Sequence, residues 1–445
     1  MAHGCRQLVA RLIAFGCAAT FLGGCGVAAD GPISHSGGGA IKAALALGAD
    51  GERKVDPSKV HGEIELLTGS SPVEAKLMKE LIAGFEKKYP RIKVKFLAIN
   101  RDYPTVVLTR FSGGGAPDVF VVDGKFFSDW AAKGLLMPLD GYLAGEQVDT
   151  TRFHGSLLDS VRGPGGYKYA LPMNYSTLAL FTNDAMLKQA GITQVPRTWP
   201  ELEQATRKLA SKGNPGSAGK HAGLCLVPNW ERMLLFALQQ NGGITNAEGT
   251  KMKIKAAGTR RAVKWVGRML DSGAAVSPEV VGASWCGDAF GKQKVAMAIE
   301  GAWMLPPMRQ FPKVGYSVHQ LPAGQRRATL AYSGNISISR TSKNPDAAWL
   351  LVDYLASPGA QAKLATAGLG VPSMEGVPFP PALKAFANGV DYATVWSLPP
   401  GFFNSVLITA DNEMSAMLEG KQTLDGMLNE IDEVGRTMLK GTAAP

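Results

Sequence analysis

Few residues in this chain are spaced for covalent chemistry, and the cysteines come first. Cys25 follows Leu22-Gly23-Gly24, and ahead of these stand Arg6, Arg11 and an apolar run from Leu12 to Leu22. A short basic start, an apolar run of that length and small residues before a cut site make an export signal. The run is too short to cross a bilayer as a permanent helix, which takes about 20 apolar residues. Residues 1–24 are therefore expected to be removed. Cys25 becomes the first mature residue, its thiol placed to carry lipid and tie the protein to a membrane on the extracytoplasmic side. Cys5 and Cys17 leave with the signal. Cys225 and Cys286 remain and could pair in an oxidising compartment; pairing depends on geometry, so the sequence leaves it open. No CxxC spacing is present, and no metal is expected.

Catalytic constellations are missing. There is no GxSxG elbow, no HExxH and no GxxxxGK[ST] loop. The histidines (His3, His35, His61, His154, His221 and His319) stand singly in unrelated contexts. Carboxylates are dispersed, so a facing pair for glycoside hydrolysis is neither indicated nor dismissed by spacing alone. The expectation is a protein that is not an enzyme and needs no cofactor.

The 445 residues, about 420 after cleavage, exceed what one hydrophobic core usually serves, which points to two domains. A 45% apolar and 19% charged composition is that of a globular chain. Lys and Arg exceed Asp and Glu by a formal +10, a balance that fits an anionic membrane or cell wall nearby. The basic residues form no stripe interleaved with aromatics, so nucleic acid is not an expected partner.

Residues Gly26 to Lys59 are rich in Gly, Ala and Ser and read as a flexible tether. Order is expected from Gly62. Glu63–Thr68 reads as a strand. Val73, Leu77, Leu81, Ile82, Phe85 and Tyr89 recur at helical spacing, and Ile92, Val94, Phe96 and Ala98 alternate as in a strand. Val119–Val122 is a strand buried on both faces, and a helix follows from Lys125 to Lys133. Leu178–Thr182 and Val295–Ile299 read as further strands, and Thr198-Trp199-Pro200-Glu201 opens a helix with a capping box. Strands alternating with helices predict an α/β protein with a largely parallel sheet. Trp199, Trp265 and Trp349 fall on helical patterns and are expected to pack.

Four segments, in order, carry a family resemblance. The first is Gly113-Gly114-Gly115-Ala116-Pro117-Asp118-Val119. The second runs from Tyr169-Ala170-Leu171-Pro172 through Leu180–Asp184 to Thr198-Trp199-Pro200-Glu201-Leu202. The third is Phe290-Gly291-Lys292, Val295-Ala296-Met297 and Gly301-Ala302-Trp303. The fourth holds Ser333-Gly334-Asn335, Ser342-Lys343-Asn344-Pro345, Ala347-Ala348-Trp349 and Gly370-Val371-Pro372. Together they resemble bacterial extracellular solute-binding proteins of the carbohydrate type, relatives of the maltose-binding protein. Two departures stand out: Thr182-Asn183 replaces the usual Tyr-Asn, and Gln293 is additional before Lys294-Val295.

The resemblance implies the two-lobed type II periplasmic-binding-protein fold, with ligand in an inter-lobe cleft that closes by a hinge. It implies lobe 1 from 62–171 and 318–340, lobe 2 from 172–317 and 341–445, and a tether over 25–61. It places ligand contacts at Trp303, Trp230, Asp123, Tyr175, Asn174, Ser70, Ser71, Gly334, Asn335 and Glu300, with Trp303 as an aromatic platform for a sugar ring. It implies a monomeric, lipid-anchored binding subunit of an ABC importer, carrying a mono- or oligosaccharide to permease subunits and their ATPase. The rivals are the same fold holding glycerol phosphate or another anion, a secreted carbohydrate-active enzyme, and a surface adhesion protein with no small ligand.

Overall fold

The computed structural model describes residues 51–211 and 219–442. The expected signal, Cys25 and most of the tether lie outside the described residues. Among these residues twelve strands follow one another: β1 (Gly62–Gly69), β2 (Ile92–Ile99), β3 (Val119–Asp123), β4 (Leu171–Thr177), β5 (Ala179–Asn183), β6 (Ala222–Cys225), β7 (Ala275–Val276), β8 (Val295–Glu300), β9 (Tyr316–His319), β10 (Thr329–Ile338), β11 (Val371–Pro372) and β12 (Ala393–Val395). They form two mixed sheets. One has the order β11-β4-β10-β3-β1-β2, with β12 added to β10; the other has the order β7-β6-β8-β5-β9. Each sheet carries helices and a main apolar cluster, one built around Phe85, Phe120 and Trp130 and the other around Trp230, Phe236 and Trp265, and a third cluster with Tyr175, Phe181 and Phe290 draws on both sheets. This is the two-lobed α/β architecture.

Local chemistry explains the elements that frame the cleft. Helix α1 (Pro72–Lys88) starts at Ser71, whose hydroxyl accepts from the Glu74 N–H while the Glu74 carboxylate accepts from the Ser71 N–H. Helix α2 (Tyr103–Ser112) follows β2. Helix α3 (Gly124–Ala132) is capped by the Asp123 carboxylate, which accepts from the Lys125 N–H at 3.0 Å. Helix α4 (Trp199–Leu209) carries the expected capping box of Thr198 and Glu201. Helix α5 (Trp230–Gln239) is capped by Asn229. Helix α6 (Ala257–Asp271) brings Trp265 against Trp199, ring centres 4.5 Å apart, so those two indoles pack as expected.

Three chain segments cross between the lobes. Leu178 joins β4 to β5, residues 320–328 join β9 to β10, and residues 396–402 leave β12 for the second lobe. They lie side by side: the Leu178 N–H donates to the Leu330 carbonyl and the Trp396 N–H to the Ala331 carbonyl.

The structure corrects the expected lobe boundaries. Val318 sits in β9, paired with Phe181 of the second sheet, so the return to lobe 1 comes after residue 319. Residues 341–377 belong to lobe 1 rather than lobe 2. Helix α7 (Pro345–Ala356) buries eight of its twelve residues, and Trp349 stacks on Tyr142 with ring centres 4.9 Å apart. A Leu or Val side chain contributes about 1.5–3 kcal/mol when fully buried, so a helix that carries Leu350, Leu351, Val352 and Leu355 goes where it can be covered on most sides. Helix α8 (Pro358–Thr366) packs beside it. Helices α9 (Ile408–Leu418) and α10 (Leu424–Thr442) follow, and the residues of residues 402–431 that are buried join the second lobe's cluster. The tether also ends earlier than expected. The Arg53 N–H donates to the Gly141 carbonyl, its guanidinium pairs with Asp346 at 2.7 Å, and Val55 is buried.

The two remaining cysteines are bridged. Cys225 ends β6, Cys286 begins a short helix 61 residues later, and their sulfurs are bonded with Cα atoms 5.6 Å apart. No helix among the described residues is long and apolar enough to cross a membrane.

Candidate functional site

Strand pairing assembles the site. On β10, Gly334 lies opposite Asp123 of β3 on one side and Asn174 of β4 on the other, and Ser333 lies opposite Tyr175. The register slips between Gly334 and Asn335, an irregularity of the kind that re-aims side chains beside functional sites. Gly334 is needed for closeness: a Cβ there would come within 2.7 Å of the Asn174 side-chain oxygen. The Asn174 amide in turn donates to the Leu369 carbonyl at 2.9 Å, fixing its orientation.

A cleft of about 570 Å³ opens here, with both lobes in its lining. That size suits a small solute. Lobe 1 supplies Ser70, Glu74, Tyr103, Asp123, Lys125, Phe126, Asn174, Tyr175, Ser333 and Gly334. The second lobe supplies Glu231, Arg232 and Trp303, with Tyr332 between the two. A larger depression, about 1180 Å³, follows the outer edge of β9 and is lined by Arg197, His319, Arg327 and Lys384. It gathers neither the aligned strand positions nor an indole, so the smaller cleft is the candidate site.

The cleft's second-lobe wall is one connected cluster. Glu300, at the end of β8, is 3% exposed as a side chain and accepts from Arg232 at 3.0 Å and from the Trp303 indole N–H at 2.9 Å. Arg232 also donates to the Tyr332 hydroxyl at 3.0 Å. Its guanidinium stands 5.3 Å from the Trp303 ring centre and 5.5 Å from that of Tyr332. The two rings meet edge to face at 5.3 Å, and Tyr332 stacks on the buried Trp396. Trp303 folds back over Gly301, where any Cβ would come within 2.2 Å of the ring. The indole is therefore fixed by Glu300, Arg232, Tyr332 and Gly301 while remaining part of the cleft lining.

Electrostatics follow from this packing. Burial pushes the Glu300 carboxyl above its ordinary range, while the Arg232 guanidinium and the Trp303 N–H pull it back. Burial works against the Arg232 charge, and Glu300, Tyr332 and Glu231 together more than offset it. Burial also raises the Tyr332 hydroxyl. Asp123 is raised by its crowded setting and lowered by Lys125; its side chain keeps 45% of its surface, so cleft water limits the effect. Four carboxylates (Glu74, Asp123, Glu231 and Glu300) surround two cations (Lys125 and Arg232), which favours a neutral or weakly cationic guest over an anion.

The expected site residues divide on placement. Trp303, Asp123, Tyr175, Asn174, Ser70 and Gly334 all line the cleft. Four do not. Trp230 is fully buried in the second lobe's core; with Met233, Leu234 and Ala237 it forms the apolar stripe of α5, so the residue two positions on, Arg232, faces the cleft instead. Asn335 is fully buried, and its amide donates to the Val122 carbonyl and the Ser333 hydroxyl. Ser71 is spent on capping α1. Glu300 lies beneath the lining and acts through Arg232 and Trp303. Arg232, Tyr332, Lys125, Glu231 and Tyr103 were not singled out from sequence.

Comparison with known proteins agrees with this geometry. Residues 69–362 match the family described as bacterial extracellular solute-binding protein. A candidate binding protein of Brucella abortus is 26% identical over 291 residues, 62% of this chain and 67% of its own length. An ABC substrate-binding protein of Listeria monocytogenes, solved in complex with cycloalternan, superposes with a TM-score of 0.77 at 24% identity, covering 85% of this chain and 99% of that one. The GacH receptor of Streptomyces glaucescens, solved without ligand and with acarbose, superposes with a TM-score of 0.75 at 26% identity, covering 86% and 99%. With a family match across most of its folded length and a two-lobed fold around one cleft, this chain belongs to the bacterial extracellular solute-binding proteins.

Proposed function

We propose that this protein is the extracytoplasmic substrate-binding subunit of an ABC importer and that its solute is a mono- or oligosaccharide. The observation that carries the reading is the wall formed by Trp303, Arg232, Glu300 and Tyr332. A sugar has apolar ring faces and polar rims. An immobilised indole offers the first a surface, while the unspent N–H groups of Arg232, the Asn174 amide and the Asp123 carboxylate meet the second. Trp303, Asp123, Asn174, Tyr175, Ser70 and Gly334 are the proposed ligand-facing residues, joined by Arg232 and Tyr332. Solutes of this class are named for the two superposed structures, which hold cycloalternan and acarbose.

The rest of the importer is proposed on the same basis. Two permease chains and a cytoplasmic ATPase would receive the solute, the chain acting as a monomer that makes and breaks no covalent bond. Export is supported by the signal-like start and by the Cys225–Cys286 bridge, since such bonds persist in oxidising compartments. Lipid on Cys25 would hold the protein at the membrane. Radiolabelled palmitate incorporated by the native chain, and not by Cys25→Ser, tests that anchor.

A thermal-shift screen tests the solute. A ligand that binds only the folded state adds about 2.7 kcal/mol at a hundred times its Kd, enough to raise Tm by a few degrees. Glucose, maltose, maltotriose, mannobiose and sn-glycerol 3-phosphate form the panel. A rise with a neutral sugar supports the reading. A rise with the phosphate alone transfers the site to anions, and steady release of product from any oligosaccharide would make the protein an enzyme.

A further inference from the structure

The sugar-binding reading leaves Lys125, Glu231 and two phenylalanines without a role. Lys125 belongs to α3 on lobe 1. Its ammonium stands 3.7 Å from the Glu231 carboxylate at the start of α5 on lobe 2, and 3.9 Å from Asp123 on its own lobe. The Lys125 and Glu231 side chains are only 23% and 26% exposed. Next to them Phe126 meets Phe403 of the second lobe edge to face, ring centres 4.7 Å apart, and the same ammonium lies 5.4 Å and 5.8 Å from the two rings. One turn along α3, the Ser128 and Ser397 hydroxyls are 3.4 Å apart. The Lys125–Glu231 and Phe126–Phe403 contacts run from one short helix of lobe 1 to the opposite lobe.

We propose that Lys125 and Glu231 are positioning residues for solute capture: their ion pair, seated on the Phe126–Phe403 contact, fastens the lobes at one side of the cleft and sets how readily it closes. The proposal rests on the solute-capture reading of that cleft. Its strength suits the task. A partly exposed pair shifts an equilibrium by roughly two- to fivefold, enough to bias closure and too little to hold the lobes shut against solute release. Asp123 completes the device. When the lobes part, Lys125 keeps a carboxylate partner on its own lobe, so opening strands no cation.

The test needs no sugar. Spin labels are placed at Val73→Cys and Val280→Cys, exposed positions on opposite lobes, in a full-length chain with Cys5, Cys17 and Cys25 changed to serine. Electron–electron double resonance then reads the inter-lobe distance. Lys125→Glu is expected to move population to longer distances by about two- to fivefold, with Lys125→Met intermediate, and the swap Lys125→Glu/Glu231→Lys to restore the original distribution. A distribution unchanged by Lys125→Glu, with Tm retained, overturns the proposal, as does a swap that fails to restore it. Because the distances are taken without solute, a failed sugar panel and a failed clamp are separate results.

Discussion

Arg232 is the residue on which the site turns. It carries a fixed positive charge into a wall where its side chain is only 17% exposed, and Glu300 is its counter-charge. Removing one partner of such a pair leaves a buried charge uncompensated, which costs about 3–5 kcal/mol. Glu300→Gln is therefore expected to lower the unfolding free energy by about 3 kcal/mol, read as a reduced urea midpoint, and to raise the cleft's response to sn-glycerol 3-phosphate. The family resemblance points to Trp303, after Gly301, and to Trp230, and nothing in the sequence singles out Arg232. The missed signal was local. Asn229 marks the start of α5, and Trp230, Met233, Leu234 and Ala237 then fall on one apolar stripe, turning Trp230 inward. Tyr332 and Lys125 gave no signal of their own, because each earns its place through a contact with the other lobe.

At the scale of elements, the strands and capped helices around the cleft were legible, since period, caps and turns are local properties. β1, β3, β5, β8 and the helix after Thr198 fall within a residue or two of expectation. Lobe membership was not legible. The helix Pro345–Ala356 announces its apolarity in sequence, but which sheet covers it depends on how β10 threads between β3 and β4. Pairing of Cys225 with Cys286 was likewise open until β6 and the helix at 286 were seen side by side. Closing a loop of 61 residues in the unfolded chain is worth about 4 kcal/mol by chain entropy. Replacing both cysteines by serine is expected to lower the denaturant midpoint by a corresponding amount, and reductant to do the same to the native chain while leaving the variant unmoved.

Across the whole molecule, burial sets the response to acid. His221 and His319 are held below the ordinary imidazole range by burial. As pH falls through about 6.5, the unfolded chain binds protons that the folded chain refuses, so stability present above that range is lost below it. Asp123, Asp353 and Asp411, raised by burial, act in the opposite sense and gain stability on acidification. They are common to wild type and to His221→Gln/His319→Gln, so comparing the two isolates the imidazoles. The variant is expected to show a shallower decline in Tm between about pH 6.5 and 5. Two lobes, each with its own main apolar cluster, are joined by three adjacent crossings and by a third cluster shared between them, and the aromatic and charged wall faces the cleft they frame.

Isothermal titration of the native protein and of Trp303→Ala, using the neutral sugar that gives the largest thermal shift, bears most directly on this picture. A single saturable site in the native chain, weakened at least tenfold in the variant with its fold intact, is the predicted result. Equal affinity in the two proteins, or no saturable heat with any neutral sugar alongside tight binding of sn-glycerol 3-phosphate, would contradict it.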